Sequence, residues 1–361
     1  MHMLQMRRLS GDGRTPMNRK TMFPGRPNGA EQSLQRGSEG MLLNKRFVRF
    51  RPDMSPVSMA RHFSSLDCPP IGWSSILRAL AAYRYVVADV FTDEPLAGNG
   101  LAVFTDAREL PEERLQPLAR ELNLSETVFV YPAEGDGHAR IRIFTPTAEI
   151  PFAGHPTLGT AFVLAGPLQL EEIRLETGVG VVPVRVEREG ARIVFGWMTQ
   201  PIPTVAPYSE QEELLRALGV AASRLPIEVY DNALQHVYVA LDSAAAVAAL
   251  EPDMTALARL PGVLGVNCFA GEGTRWKTRM FAPGGGVPED PATGSAAGPL
   301  ACHLVRHGLV ESGTEIEISQ GAEIKRPSTL YARVDGSAES IDRVEVGGSA
   351  VVVARGEFRL D

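Results

Sequence analysis

The feature that most constrains this chain is that it contains one motif twice. RIFTPTAEIP (142–151) aligns with RMFAPGGGVP (279–288) at an offset of 137, sharing an arginine, a phenylalanine and both prolines. After a two-residue shortening, HPTLGTA (155–161) aligns with DPATGSA (290–296) at an offset of 135. There Pro156/Pro291, Gly159/Gly294 and Ala161/Ala296 coincide. A supersecondary unit present in two copies implies a pseudo-twofold pair of domains with a cleft between them. In this register His155 stands opposite Asp290, and Thr160 opposite Ser295.

Each copy reads as a strand running into a Gly/Pro loop that opens an apolar helix, over 157–166 and over 292–307. The first N–H groups of a helix have no intrahelical partner, and the helix dipole favours negative charge beside them. Two such ends facing one cleft would hold a small acid by its carboxylate without any lysine. Around the repeat, YRYVVADVFT (83–92), TVFVYP (127–132) and HARIRIFTP (138–146) read as strands, with Asp136-Gly137 as a hairpin signal. PEERLQPLAREL (111–122) has apolar residues at 115, 118, 119 and 122 and Pro111 in a first helical turn, an amphipathic helix. The Pro-rich stretch at 199–208 marks a boundary between domains over 83–200 and 201–361, with the last strands free to return to the first domain.

Residues 1–80 are a different object. They show no 2.0 or 3.6 period, hold 13 Lys+Arg against 5 Asp+Glu, and contain eight of the eleven methionines. A disordered leader is expected there. It is either a transit peptide or sequence translated ahead of the true start, and the lack of a clean amphipathic helix favours the second. The rest of the chain holds the remaining 23 basic and 38 acidic residues, a net charge of −15 that would repel nucleic acid. No run of about 18 apolar residues exists, so no membrane partner is expected.

Cys68, Cys268 and Cys302 lie far apart without CxxC spacing, which suits the reducing cytoplasm rather than a disulfide framework. His303 and His307 have the i, i+4 spacing of metal ligands, but no Glu follows His303 to make HExxH and no third ligand is evident, so no metal is expected. Cys302 beside His303 points in another direction from a helix and reads as a packing thiol. The GGG at 284–286 lacks the Lys-Ser/Thr tail of a nucleotide loop.

At these residues the chain resembles the PhzF (phenazine-biosynthesis isomerase) family, relatives of diaminopimelate epimerase. DVFTDEPLAGNGLAVF (89–104), LNLSETVFV (122–130), RIFTPTAEIPFAGHPTLGTA (142–161), FAPGGGVPEDPATGSAAG (281–298) and QGAEIKRPSTL (320–330) look like its signatures in family order. The resemblance spans roughly 83–357. It implies an α+β fold of two pseudo-symmetric domains, each a curved mixed sheet wrapped about a central helix, and usually a homodimer. It also implies an isomerase that needs no cofactor and moves a proton within a small cyclic or unsaturated carboxylic acid, as in trans-2,3-dihydro-3-hydroxyanthranilate.

By position, Glu126 of LSET corresponds to the family's catalytic acid/base. His155 of GHP, Asp290 of EDP and Ser295 of TGSA correspond to its other substrate-contacting polar residues, with Gly154 and Gly294 beside them. Glu126 needs a pKa near the working pH, and an apolar setting supplied by TVFVYP would favour that by penalising the charged form. Only one of Glu289 and Asp290 need face the cleft, and Asp290 has a second possible use as the N-cap of helix 292–307. In the racemase branch of the fold, cysteines occupy both helix starts; here those positions read His155 and Asp290. An amino-acid racemase would therefore have to use that pair. A purely binding protein would have no need of the full Glu126–His155–Asp290–Ser295 set. GNG (98–100) replaces the commoner GNP, and DNALQHVYV (231–239) lacks the usual Gly-Pro before its histidine; both bear on the substrate rather than the fold.

Overall fold

A computed structural model of the chain describes residues 82–262 and 265–360; the leader expected over 1–80, with Cys68, lies outside the described residues. The first half runs β1 (Ala82–Val90), β2 (Asn99–Phe104), α1 (Glu112–Leu122), β3 (Glu126–Tyr131), β4 (Ala139–Phe144), β5 (Glu149–Ile150), α2 (Gly154–Leu168), β6 (Glu172–Thr177), β7 (Gly180–Glu189) and β8 (Arg192–Gln200). Parallel neighbours need a crossover, and both parallel pairs have a helical one: α1 between β2 and β3, α2 between β4 and β6. All other pairings here are antiparallel, so the sheet is mixed.

The second half repeats this plan. It runs β9 (Thr204–Pro207), α3 (Gln211–Leu218), β10 (Glu228–Asp231), β11 (Gln235–Ala240), α4 (Ala244–Ala248), α5 (Met254–Leu257), β12 (Gly265–Glu272) and β13 (Arg275–Ala282). Then follow β14 (Val287–Asp290), α6 (Gly294–Arg306), β15 (Ile316–Gln320), β16 (Ser328–Gly336), β17 (Ile341–Gly348) and β18 (Ala350–Arg359). Again β11 and β12 are parallel across α4 and α5, and β13 and β15 across α6. The architecture is α+β.

In each half the strands of the continuous sheet pack around the second crossover helix, because that helix has almost no polar face. Nine of the fifteen residues of α2 and eleven of the thirteen of α6 are buried, which only a helix enclosed by strands can satisfy. On the outer face, α1 lays Leu115, Leu118 and Ala119 against Phe104, Phe129 and Phe144. In the other half α3 to α5 cover Val237, Val239, Cys268 and Phe281. The halves share a seam where β8 pairs antiparallel with β17, Met198 opposite Val346. The last strand, β18, returns to β1, with Ala82 opposite Arg359.

The strands expected at 83–92, 127–132 and 138–146 are present to within one or two residues at each end, and β3–β4 forms the hairpin signalled by Asp136-Gly137. Pro111 precedes α1 as an extended N-cap rather than lying inside its first turn. The repeat is real but its register needs correction. Arg142 donates two hydrogen bonds to Glu149 and lies over the Phe144 ring; Arg279 does the same to Glu289 and over Phe281. Glu149/Glu289 and the helix starts Gly154/Gly294 are both 140 residues apart, not 135. A one-turn 3₁₀ helix at Pro283–Gly285 lengthens the second copy, and 291–293 stays outside α6. The structural counterpart of His155 is therefore Ser295, and Asp290 stands on the strand before the helix.

Candidate active site

The cleft lies where α2 and α6 point their N-termini at each other. They meet backbone to backbone: a Cβ on Gly154 would lie 2.4 Å from the carbonyl carbon of Gly294 and from the amide nitrogen of Ser295. Only glycine allows this approach. The cleft, about 540 Å³ with its open mouth, is lined by both helix starts (Gly154, His155, Gly294, Ser295), by Glu126 and Asp290, and by apolar Ile150, Leu234, Met280 and Val287. Every site residue expected from the sequence is thus brought to one place.

Glu126 opens β3, and its side chain keeps 15% of its exposure. Burial first, and then the nearby Asp290 carboxyl, push its pKa well above the ordinary glutamate value. Burial likewise raises Asp290, against the opposing hydrogen bonds from Thr293, Asn99 and Ser125. His155 Nε2 lies 3.3 Å from Glu126 Oε2, and burial lowers the imidazole to about 3. Burial thus acts against charge on both members of the pair.

Asn99 links Asp290 to His155 and to the chain ahead of α6. Its Nδ2 donates to Asp290 Oδ1 at 2.8 Å and to the Ala292 carbonyl at 3.0 Å, and stands 3.2 Å from His155 Nδ1. His155 Nε2 and Glu126 Oε2 face each other at 3.3 Å, both buried and without a hydrogen-bond partner. A carboxyl poised in this way can give a proton to carbon and take one from carbon.

Asp290 does not cap α6. The N-cap is Thr293, without a side-chain cap bond, and Thr293 Oγ1 instead donates to Asp290 Oδ2 at 2.6 Å. Gln320 accepts from the Thr293 amide and donates to the Asp290 carbonyl and to Thr293 Oγ1, which holds 291–293 outside α6. Glu289 is occupied by Arg279, so Asp290 is the acid of the pair that faces the cleft. Ser295 Oγ meets His236 Nε2 at 3.1 Å, and Asn267 lies 3.4 Å from the other ring nitrogen. Burial lowers His236 to about 4.

Asn99, Ser125, Thr293, Gln320 and His236 were not singled out as site residues from the sequence. Asn99 and His236 lie inside the two segments that depart from the family pattern, which was the available signal. Cys268 and Cys302 are buried away from the cleft, and burial pushes both thiols up to about 12. No helix among the described residues is long and apolar enough to cross a membrane.

The family described as PhzC-PhzF, phenazine biosynthesis-like protein, matches residues 88–356. The chain belongs to this family. It is 53% identical over 278 residues to the trans-2,3-dihydro-3-hydroxyanthranilate isomerase of Pseudomonas aeruginosa, covering 77% of this chain and all of that one. A crystal structure of a PhzF-family phenazine biosynthesis protein from Bacillus anthracis superposes with a TM-score of 0.68 at 25% identity, covering 78% of this chain and all of that one. A hydroxyproline epimerase from Agrobacterium vitis shares the fold, with a TM-score of 0.56 at 13% identity over 78% of this chain and 92% of that one. Like its PhzC-PhzF relatives, the chain is an isomerase.

Proposed function

We propose that this PhzC-PhzF isomerase acts on trans-2,3-dihydro-3-hydroxyanthranilate or a closely similar small cyclic acid, with Glu126 moving the proton. The observation that carries this reading is the position of Glu126. It is a carboxyl whose pKa burial raises, backed by His155, inside an apolar-walled cleft between two helix N-termini. The substrate carboxylate would lie against the free N–H groups of α2 and α6. Glu126 would take a proton from one ring carbon and return one to another, turning the enol into a ketone with no net change in atoms. Asp290, Asn99 and Ser295 would hold the polar substituents, while His155 orients the acid.

The racemase reading requires two acid/base groups on opposite sides of one carbon. His155 touches Glu126, and Asn99 joins His155 to Asp290, so the three groups form one connected chain. With Ser295 rather than Asp290 as the counterpart of His155, that reading loses its second base. In the same proposal the chain works in the cytoplasm as a homodimer of two-domain protomers split near residue 200.

The test is NMR of the protein with trans-2,3-dihydro-3-hydroxyanthranilate in D₂O, alongside Glu126→Gln. The parent should isomerise it with deuterium entering at the protonated carbon, and the variant should lose about 10³-fold in turnover while keeping its fold. A fully active Glu126→Gln protein overturns the assignment.

A further inference from the structure

Away from the cleft, at the other end of α6, three ligand-type side chains converge. His303 and His307 are one turn apart, and both face Glu228 of β10. Glu228 Oε2 lies 3.1 Å from His303 Nδ1 and 2.9 Å from His307 Nε2, and the three donor atoms all lie within 4.8 Å of one another. This is the third ligand that sequence spacing did not reveal, because Glu228 precedes His303 by 75 residues.

The cluster is built rather than incidental. His303 is wholly buried, with its ring stacked on Tyr238 and set edge-on to Tyr230 and Phe269, so its Nδ1 is aimed at Glu228 by packing. Its Nε2, on the far side of the ring, has no hydrogen-bond partner. Hydrogen bonding alone is a poor account of the arrangement. Two imidazole nitrogens and the Tyr230 hydroxyl at 3.1 Å crowd one carboxylate oxygen, that hydroxyl also lies 3.2 Å from His303 Nδ1, and among the described residues the other oxygen has Arg306 at 3.9 Å. His307 and Glu228 keep 20% and 13% of their side-chain exposure, which leaves an ion a way in from solvent.

We propose that Glu228, His303 and His307 form a Zn²⁺ site that ties β10 to the C-terminal half of α6. Two imidazoles and a carboxylate are an established zinc ligand set, with a water completing the tetrahedron. Bonds of about 2.0–2.1 Å place tetrahedral ligand atoms roughly 3.3 Å apart, so the two carboxylate–imidazole separations need only a few tenths of an ångström of opening, and the two ring nitrogens lie within 4.8 Å of each other. Binding would displace the protons now shared between the rings and the carboxylate. Eight residues of helix separate Ser295 from His303, about 12 Å of rise, so the ion would staple the fold rather than join the chemistry.

The experiment uses the full chain, stripped with EDTA and titrated with ZnCl₂ by calorimetry, with melting curves before and after. One Zn²⁺ per chain and a raised Tm are expected. His307→Ala and Glu228→Gln should each weaken binding at least about a hundredfold and abolish the Tm gain. Glu126→Gln should bind zinc like the parent, which separates this site from the carboxyls of the cleft. Absence of stoichiometric zinc in the parent, binding that survives His307→Ala, or binding lost with Glu126→Gln would each overturn the proposal. His307 is partly exposed at the end of α6, so its variant tests the site even if a His303 variant fails to fold.

Discussion

Glu126 carries an energetic cost as well as a candidate chemistry. Its carboxyl ionises readily in the unfolded chain and reluctantly in the folded one, since burial and Asp290 both act against the charge. As pH rises above the ordinary glutamate value, the folded chain retains a proton that the unfolded chain has lost. Stability is therefore full below that value and declines through the window up to the raised one. Glu126→Gln removes this decline. The variant should be more stable than the parent at about pH 8 and indistinguishable from it at about pH 4, as read from urea melts at both. His155 has the opposite sign. Its imidazole is held at about 3, so the unfolded chain binds a proton first as pH falls from the histidine range, and that contribution to stability is lost towards acid. Replacing His155 by Asn should flatten the acid limb of the melting-temperature profile between about pH 6.5 and pH 4.

At the scale of elements, the close approach of α2 and α6 is what makes one cleft out of two helix starts. Gly154→Ala would drive a methyl group into the backbone of Gly294 and Ser295, which cannot rotate away. We expect a loss of about 2–3 kcal/mol in urea denaturation, together with reduced activity, because overpacking of this kind shifts backbone. Much at this scale was legible in the sequence. The doubled Arg–Phe–Pro motif identified the two strand–loop–helix units, and the near-continuous apolar character of 157–166 and 292–307 identified their central helices. The register between the copies was not legible. Pattern matching aligned Pro156 with Pro291, whereas Gln320, thirty residues downstream of Asp290, holds 291–293 out of the helix. The polar partners of the site were hidden for the same reason. Asn99 lies 191 residues from Asp290, and no local period relates them.

For the whole molecule, the β8–β17 seam joins the halves, and its main polar anchor is Glu345. This side chain is only 2% exposed and accepts hydrogen bonds from Arg185 of β7 and Arg333 of β16, both at 2.7 Å. Its two partners are partly exposed, which screens the interaction. Glu345→Ala should nonetheless cost about 2 kcal/mol in the thermal or urea melt, because two arginines lose their acceptor at the seam. The pairing of β1 with β18 has a different consequence. With Ala82 beside Arg359, the described strands close on themselves, and the partly exposed Pro201–Pro203 stretch becomes as good a place for the ends of the chain as the present one. A permuted gene that encodes 201–360, a short glycine-serine bridge and then 82–200 should give a protein with the parent's circular dichroism and activity. The fold is in this sense a ring, and which half is translated first is a property of the gene rather than of the architecture.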